Sequence, residues 1–351
     1  MKTISGNIVD LHNETVFPGT VHIANGIITG IDRERYWYDT YILPGFVDSH
    51  VHVESSMLTP AGFARLAVVH GTVATVSDPH EIANVLGPQG VRFMMEDAAG
   101  IPFVFAFGVP SCVPASPFET SGAAMGLAEM EALFDEQGAG YLSEMMNVPG
   151  VIGGDPDVQA KIEAARRRGK PVDGHAPGLR GEGLRRYIAA GISTDHESFE
   201  LEEAREKVSL GMKILVREGS AARNFDTLYP LIDESPGFCM LCTDDQHPDS
   251  LVKGHINTLV ARAIRKGVDV MKVLRCACVN PVLHYGLDVG LLRPSDPADM
   301  IVVDGLEDLE VLKTIVRGEI VAEAGESRIP HRRATPKNVD RGGPALRYAA
   351  F

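Results

Sequence analysis

From residue 41 to residue 245 the chain alternates two kinds of pattern. β-rich apolar runs (YILPGFVDSHVHV, GTVATVSD, IPFVFAF, AGYLSEM, KPVDGHA, GISTDHE, MKILVRE and GFCMLCTDD) recur about every 25 to 35 residues. The stretches between them carry helical periodicity and predict helices over residues 60–69, 84–98, 127–137, 155–168, 181–189, 200–210, 221–233 and 250–266. Eight strands alternating with eight helices predict a parallel (β/α)8 TIM-like barrel, which typically takes ~250 residues. An open doubly wound sheet is the competing architecture, but it leaves unexplained the polar residues that recur at the strand ends. The flanks differ in character. Residues 1–42 read as short strands with turn pairs Pro18-Gly19 and Asn25-Gly26. After Gly286, the segments LDVGLLRPSDPADMIVVD and VLKTIVRGEIVAEAG return to strand character. Segments that bracket a barrel most simply pair with each other. The expected organisation is a small β-sandwich domain from residues 1–43 and 287–325, a barrel from 44–286, and an irregular Pro-, Gly- and Arg-rich tail over 326–351.

Composition narrows the class. A chain of 351 residues, 44% hydrophobic, can bury the core of such a barrel. The start, MKTISGNIVDLHNETV, has no basic head followed by an apolar run, and no stretch approaches the ~18 uninterrupted apolar residues of a membrane span. A cytoplasmic protein with no membrane partner is expected. The net charge of −14 argues against a nucleic-acid or anionic-membrane surface, which needs clustered Lys and Arg. The five cysteines (Cys112, Cys239, Cys242, Cys276 and Cys278) lack framework spacing. The single C-x-x-C, inside GFCMLCT, has no second pair to complete a zinc site, so buried free thiols in a reducing compartment are expected.

In a barrel of this type the reacting groups lie at the carboxyl ends of the strands, facing one mouth. Here those ends offer His50 and His52, Asp78 and His80, Glu144, His175, His196, Arg217 and Glu218, and Asp244 with Asp245. Residues i and i+2 of a strand point to one face, so His50 and His52 project together. Alone, an H-x-H is as readily an ordinary histidine pair; placed among these neighbours it reads as a way to hold metal. The ligands suffice for two divalent ions, with His50, His52 and Asp244 on one, His175 and His196 on the other, and Glu144 able to bridge. Imidazole and carboxylate suit Zn, Fe or Mn, and the absence of Cys from the set argues against a structural zinc. Two ions sharing one water lower its pKa from ~15.7 toward neutrality, which points to hydrolysis, with Asp244 the candidate base.

The motifs HVHVESS, DPHEIAN, SEMMN, DGHAPGL, GISTDHES, REGSAARN and CTDDQHPDSLVKGHIN resemble those of the adenine deaminases of the amidohydrolase superfamily, over about 280 residues. The resemblance implies a barrel plus β-sandwich, a binuclear Fe, Mn or Zn site, and hydrolytic loss of ammonia from C6 of adenine to give hypoxanthine. By the same resemblance His50, His52, Glu144, His175, His196 and Asp244 match the metal ligands, and a purine base is the small-molecule partner. His80, Glu81 and Glu54 are then candidates for ring contacts and proton delivery, with Ser55, Ser56, Arg217, Glu218 and Ser220 shaping the purine pocket. Loop hydrogen bonding and support of the metal ligands are the competing roles for this second group. Barrels of this kind often form dimers. Adenine deaminases of this group continue into a further carboxyl-terminal domain with its own histidine-rich motif, and nothing equivalent precedes Phe351, so a short form is expected. A related amidohydrolase acting on another cyclic amide or aminated heterocycle is the alternative.

The remaining histidines, His12, His22, His70, His284 and His331, are expected to be structural or on the surface. His247 and His255 follow the eighth strand closely enough to reach the mouth. Tyr36, Trp37, Tyr38 and Tyr41 are expected to pack the β unit against the barrel.

Overall fold

The computed structural model describes residues 1–116, 118–136 and 139–333. The chain opens with β1 (Lys2–Asp10), β2 (Thr15–Ala24), β3 (Ile27–Arg33) and β4 (Tyr41–Pro44). The barrel strands follow as β5 (Phe46–Val51), β6 (Thr72–Ser77), β7 (Val104–Val109), β8 (Ala139–Met145), β9 (Val172–Gly174), β10 (Thr194–Asp195), β11 (Lys213–Arg217) and β12 (Cys239–Cys242). The last strands are β13 (Met300–Val303), β14 (Val311–Val316), β15 (Glu319–Glu323) and β16 (Glu326–Ser327).

The two flanks join in one eight-stranded sheet of order β16-β15-β14-β13-β4-β1-β2-β3. All its neighbours pair antiparallel except β1 with β4. Ile8, Val21, Ile28, Ile42, Met300 and Ile315 form its buried cluster, so residues far apart in sequence share one core. The expected Asn25-Gly26 turn is present, with φ of 53° and 76° at the two residues, the combination that suits a two-residue hairpin. Pro18-Gly19 is not a turn: it lies inside β2, opposite Asn7 and Gly6. Proline is tolerated there because β3 ends at Arg33, opposite Gly19, and the Pro18 carbonyl still accepts from Glu34 N at 2.8 Å.

The first apolar run, YILPGFVDSHVHV, is two strands. β4 belongs to the flank sheet and β5 to the barrel, with Gly45 between them; a Cβ at Gly45 would stand 2.4 Å from Val73 Cγ1. Tyr36 and Trp37, expected in the core, are 81% and 64% exposed on the connection before β4, because the two sheets already meet through β4 and need no aromatic layer. Structured chain also runs past residue 325. β16 extends the flank sheet, Ile329 is buried, and Arg332 donates to the Asp97 carbonyl at 2.6 Å; residues 334–351 lie outside the described ones.

The eight barrel strands are those predicted, parallel throughout in the order β5-β6-β7-β8-β9 and β10-β11-β12. Ser193 N donates to Val172 O at 2.9 Å between β9 and β10, and Asp244 N donates to His50 O at 2.8 Å between β12 and β5, which closes the ring. Alternation along the strands divides the core. Ile214, Val216, Cys239 and Leu241 pack outward in the main cluster, whereas Leu215, Met240 and Cys242 fill the interior with Val76, Tyr141 and Tyr285. The C-x-x-C pair therefore falls on opposite faces, as free thiols, and burial pushes both thiols up. Among the described residues no helix is long and apolar enough to cross a membrane.

The β12–β5 seam is clamped by Asp48, which is fully buried. Thr243 donates to it through both N (3.0 Å) and Oγ1, and His255 Nε2 lies 2.9 Å from its Oδ2. His255 is thus a buried brace, with Nδ1 2.6 Å from Thr72 Oγ1, and is spent on closing the barrel. Asp48→Ala would leave Thr243 N and Oγ1 without an acceptor in a dry interior, at a cost of about 3 kcal/mol. The expected result is a lower denaturant midpoint at unchanged slope; an unchanged midpoint would show that the seam is held elsewhere.

His284 packs edge-on against Tyr285, and burial, reinforced by the Lys213 ammonium, pushes it from 6.5 down to about 4. Unfolded, this imidazole takes up a proton near pH 6.5, while in the folded chain it stays neutral until about pH 4. Its contribution is therefore complete above pH 6.5 and is lost as the pH falls toward 4. His284→Asn should flatten the acid limb of the stability curve by about 1–2 kcal/mol, a value discounted because the ring is only partly buried. An acid limb identical in the two proteins would assign the loss to other groups.

Candidate metal centre

His50 stands near the end of β5 and His52 just past it, and the chain then turns through a short 3-10 segment, Val53–Ser56, which Met57 terminates at φ 59°. Asp244 follows β12 and also takes a left-handed φ of 59°, unusual for a residue with a side chain. Both its backbone groups are held by β5: its N donates to His50 O at 2.8 Å and its O accepts from His52 N at 3.0 Å. Its carboxylate is thereby carried against the two imidazoles, with Oδ1 3.3 Å from His50 Nε2 and 3.2 Å from His52 Nε2.

Glu144, near the end of β8, occupies the other side. Its Oε2 lies 2.6 Å from His175 Nδ1 and 3.2 Å from His196 Nε2, and its Oε1 lies 3.6 Å from His52 Nε2. All six expected ligands therefore meet, with Asp244 against His50 and His52, and Glu144 against His175 and His196. His196 joins both halves, at 3.2 Å from Glu144 and 3.8 Å from Asp244, with its ring stacked on His50 at 4.0 Å between centroids. The donor atoms of His50, His196 and Asp244 lie within 4.8 Å of one another, and so do those of Glu144, His175 and His196.

Two further groups have the same closeness: His52, Asp78, His80 and Glu144, and His52, Glu81 and Asp245. Asp78 and Asp245 were visible at strand ends but not counted among the ligands. His80 Nδ1 stands 3.3 Å from Glu144 Oε1 and 3.4 Å from Asp78 Oδ2, which places it and Glu81 on the rim of the same centre. With Asn84, Cys112, Ala115 and Glu119 they line a cavity of about 190 Å3.

The second group of expected residues is divided. Glu54 lies against the centre, its Oε1 accepting from Ile82 N at 3.2 Å, and burial followed by the Glu81 charge raises it to about 8. Ser55 braces the two ends of the barrel seam by donating to Asp245 Oδ1 at 2.5 Å, and Ser56 closes its own turn by donating to Val53 O at 2.6 Å. Arg217 is 1% exposed and engaged through its terminal nitrogens: Nη1 donates to Asp244 Oδ2 at 2.8 Å, and the same guanidinium pairs with Glu197. Glu218 and Ser220 line a neighbouring cavity of about 210 Å3 with Gln246, Lys253 and His255. Glu197, which the sequence did not single out, lies next to His196 and is the carboxylate that shares Arg217.

The electrostatics favour a cation. Burial works to raise Asp244, yet the imidazoles of His50 and His52 standing against its carboxylate hold it far below its ordinary range. Burial likewise opposes ionisation of Glu144, and His196 and His175 outweigh it. His50 and His52 are raised against the effect of burial by the carboxylates facing them. Several buried atoms that face this space have no hydrogen-bond partner: His50 Nε2, His80 Nδ1, Glu81 Oε2 and both carboxylate oxygens of Asp78. Such orphans each cost ~1–3 kcal/mol unless something pairs with them, and a divalent cation is what an imidazole and carboxylate set of this kind accepts.

Comparison with known proteins agrees with this geometry. The profile described as "Amidohydrolase family" matches residues 41–321. The chain is 60% identical over 329 residues to an adenine deaminase of Salinibacter ruber, covering 94% of this chain and 60% of the relative. It is 56% identical over 340 residues to an adenine deaminase of Methanosarcina mazei, covering 97% and 61%. The chain thus spans about 60% of the length of these curated relatives. Among solved structures, a Zn-bound adenosine deaminase from Xanthomonas campestris superposes with a TM-score of 0.66 at 14% identity, covering 93% of each chain. A β-aspartyl dipeptidase from Fervidobacterium islandicum gives 0.68 at 16% identity, covering 92% of this chain and 97% of the other; these two establish the shared fold. A closed parallel barrel, a convergent histidine and carboxylate centre at its carboxyl mouth, and a profile match across most of the sequence make this chain a member of the amidohydrolase family of metal-dependent hydrolases.

Proposed function

We propose that the chain catalyses hydrolytic deamination of adenine, or a close 6-aminopurine, to hypoxanthine and ammonia. The observation that carries this reading is the meeting of four imidazoles and two carboxylates, with unpartnered ligand atoms beside them, in a chain about 60% identical to adenine deaminases. His50, His52, Glu144, His175, His196 and Asp244 would hold two divalent ions, Mn, Fe or Zn. Bound there, such ions supply Lewis acidity and make water nucleophilic at neutral pH.

The protein's own groups then divide the work. Asp244 takes the proton of the attacking water and passes it to the amine, which leaves poorly unless protonated. Arg217, bonded to Asp244 Oδ2, keeps Oδ1 turned into the centre. His80 and Glu81, on the wall of the adjoining cavity, are placed to meet ring nitrogens and deliver a proton there. The five free cysteines suit a reducing compartment, and the cytoplasm is the proposed location.

Purified chain supplied with Mn2+ or Fe2+ should release ammonia from adenine in a panel of aminopurines, aminopyrimidines and pterins. Silence on adenine with release from another heterocycle would replace the substrate. Asp244→Asn should lower turnover ~10²–10⁴-fold while circular dichroism stays native; normal turnover would remove Asp244 as the base.

Metal analysis after growth with added metal should find two equivalents per chain, and chelation should lower the thermal midpoint. A ligand held at a hundred times its Kd contributes about 2.7 kcal/mol to the folded state. Less than one equivalent, with a midpoint insensitive to chelator, would overturn the binuclear reading.

A further inference from the structure

Two of the expected ligands, His175 and His196, come from different strands, and each is tied on its outer side to a different neighbour. Tyr187 OH accepts from His175 N at 3.1 Å and donates to Met145 O at 2.6 Å, which fixes His175 relative to the end of β8. Asn224 donates to His196 O at 3.1 Å and accepts from Arg217 N at 2.7 Å, which fixes His196 relative to β11. The span between the two histidines is closed by Lys207, on the helix Leu201–Ser209 and 0% exposed.

The Lys207 ammonium is enclosed by oxygens. Its three N–H donors are shared among four oxygens, Ala176 O at 2.7 Å, Asp195 Oδ2 at 2.9 Å, Ser198 Oγ at 3.0 Å and Glu203 Oε1 at 2.5 Å. Ala176 follows His175 and Asp195 precedes His196, so one cation grips both ligand loops. The carboxylates return the grip: Asp195 Oδ1 accepts from Ala176 N at 2.8 Å, Asp195 Oδ2 from Ser198 Oγ at 2.7 Å, and Glu203 Oε1 from Gly178 N at 2.9 Å. A buried ion pair is a poor way to gain stability, since well-packed apolar side chains of the same volume often do as well or better. What an apolar replacement cannot do is hold two backbone segments at a set separation through directed bonds.

We infer that Lys207 is a positioning residue of the metal centre, whose buried bonds to Ala176 and Asp195 set the spacing of His175 and His196. This inference rests on the reading of those histidines as ligands. Lys207 bonds to neither histidine side chain; it acts through the two loops. Removing such a support behind a metal ligand typically lowers affinity ~10–100-fold.

The test compares native chain, Lys207→Met and the double variant Lys207→Met/Glu203→Leu, each stripped of metal and titrated with Co2+. Binding equivalents, affinity and the visible absorption of the cobalt protein are read, with circular dichroism as the fold control. The native chain is expected to bind two equivalents. Lys207→Met is expected to retain one at native affinity while the other weakens 10- to 100-fold with an altered cobalt spectrum. Where the single variant does not fold, the double variant, which removes a buried carboxylate together with the ammonium, carries the same comparison. Two equivalents at native affinity with a native spectrum in a folded variant would overturn the role of Lys207 while leaving the ligands in place. No cobalt binding by the native chain would instead overturn the ligand reading itself.

Discussion

The seam between the last barrel strand and the first is the contact on which the rest depends. β5 and β12 are separated by most of the barrel sequence, and they meet through Asp48, Thr243, His255 and the backbone of Asp244. The same few residues that close the cylinder carry His50, His52 and Asp244, so closing the fold and assembling half of the centre are one event. Asp244 shows how tightly the two are coupled. A left-handed φ at a non-glycine residue costs ~1–2 kcal/mol, and it persists because β5 takes up both the N–H and the C=O of that residue. Without the seam there is no reason for Asp244 to keep that conformation, and its carboxylate would not face the imidazoles.

The centre is expensive to assemble, because six titratable groups are brought together largely out of water. Each is answered by a specific partner behind it. Arg217 and Glu197 stand behind Asp244, Tyr187 and Lys207 behind His175, and Asn224 with Asp195 behind His196. All of these partners but Glu197 are buried and each is hydrogen-bonded, and His50, which faces the centre, has ring nitrogens without partners. Unpartnered nitrogen and oxygen atoms on His50, Asp78, His80 and Glu81, gathered beside two buried carboxylates, make a place for a cation.

The barrel was legible in the sequence because apolar runs and helical stretches alternate at a regular interval, and the strand ends could then be read as one mouth. That is why His50, His52, Glu144, His175, His196 and Asp244 could be named together. Three features were hidden. The break at Gly45 is invisible within a continuous apolar run, since it depends on Val73 approaching from another strand. Pro18-Gly19 has the composition of a turn, and only the early end of β3 makes it a strand. The direction of side chains just beyond the strands was also concealed: alternation stops where the strand stops, so Ser55, Ser56, Glu218 and Ser220 looked as able to face a substrate as Arg217, the last residue of β11. The structure commits Arg217 to Asp244, the two serines to bracing their own turn and the seam, and the last two residues to a separate cavity.

Alternation also explains why so much of the core is tied to the chemistry. Along β11 and β12 the inward positions are Leu215, Met240 and Cys242, and two residues beyond Leu215 and Cys242 stand Arg217 and Asp244. The apolar floor of the barrel and its reactive rim therefore lie on one face of each strand, at successive heights. A one-residue slip of β12 against β11 would send Met240 and Cys242 toward the helices and turn Asp244 away from both Arg217 and His50. Apolar burial of the floor thus sets the register, and the register places the rim. The positions of a few buried side chains that touch no ligand decide whether the carboxylate and the imidazoles meet at all.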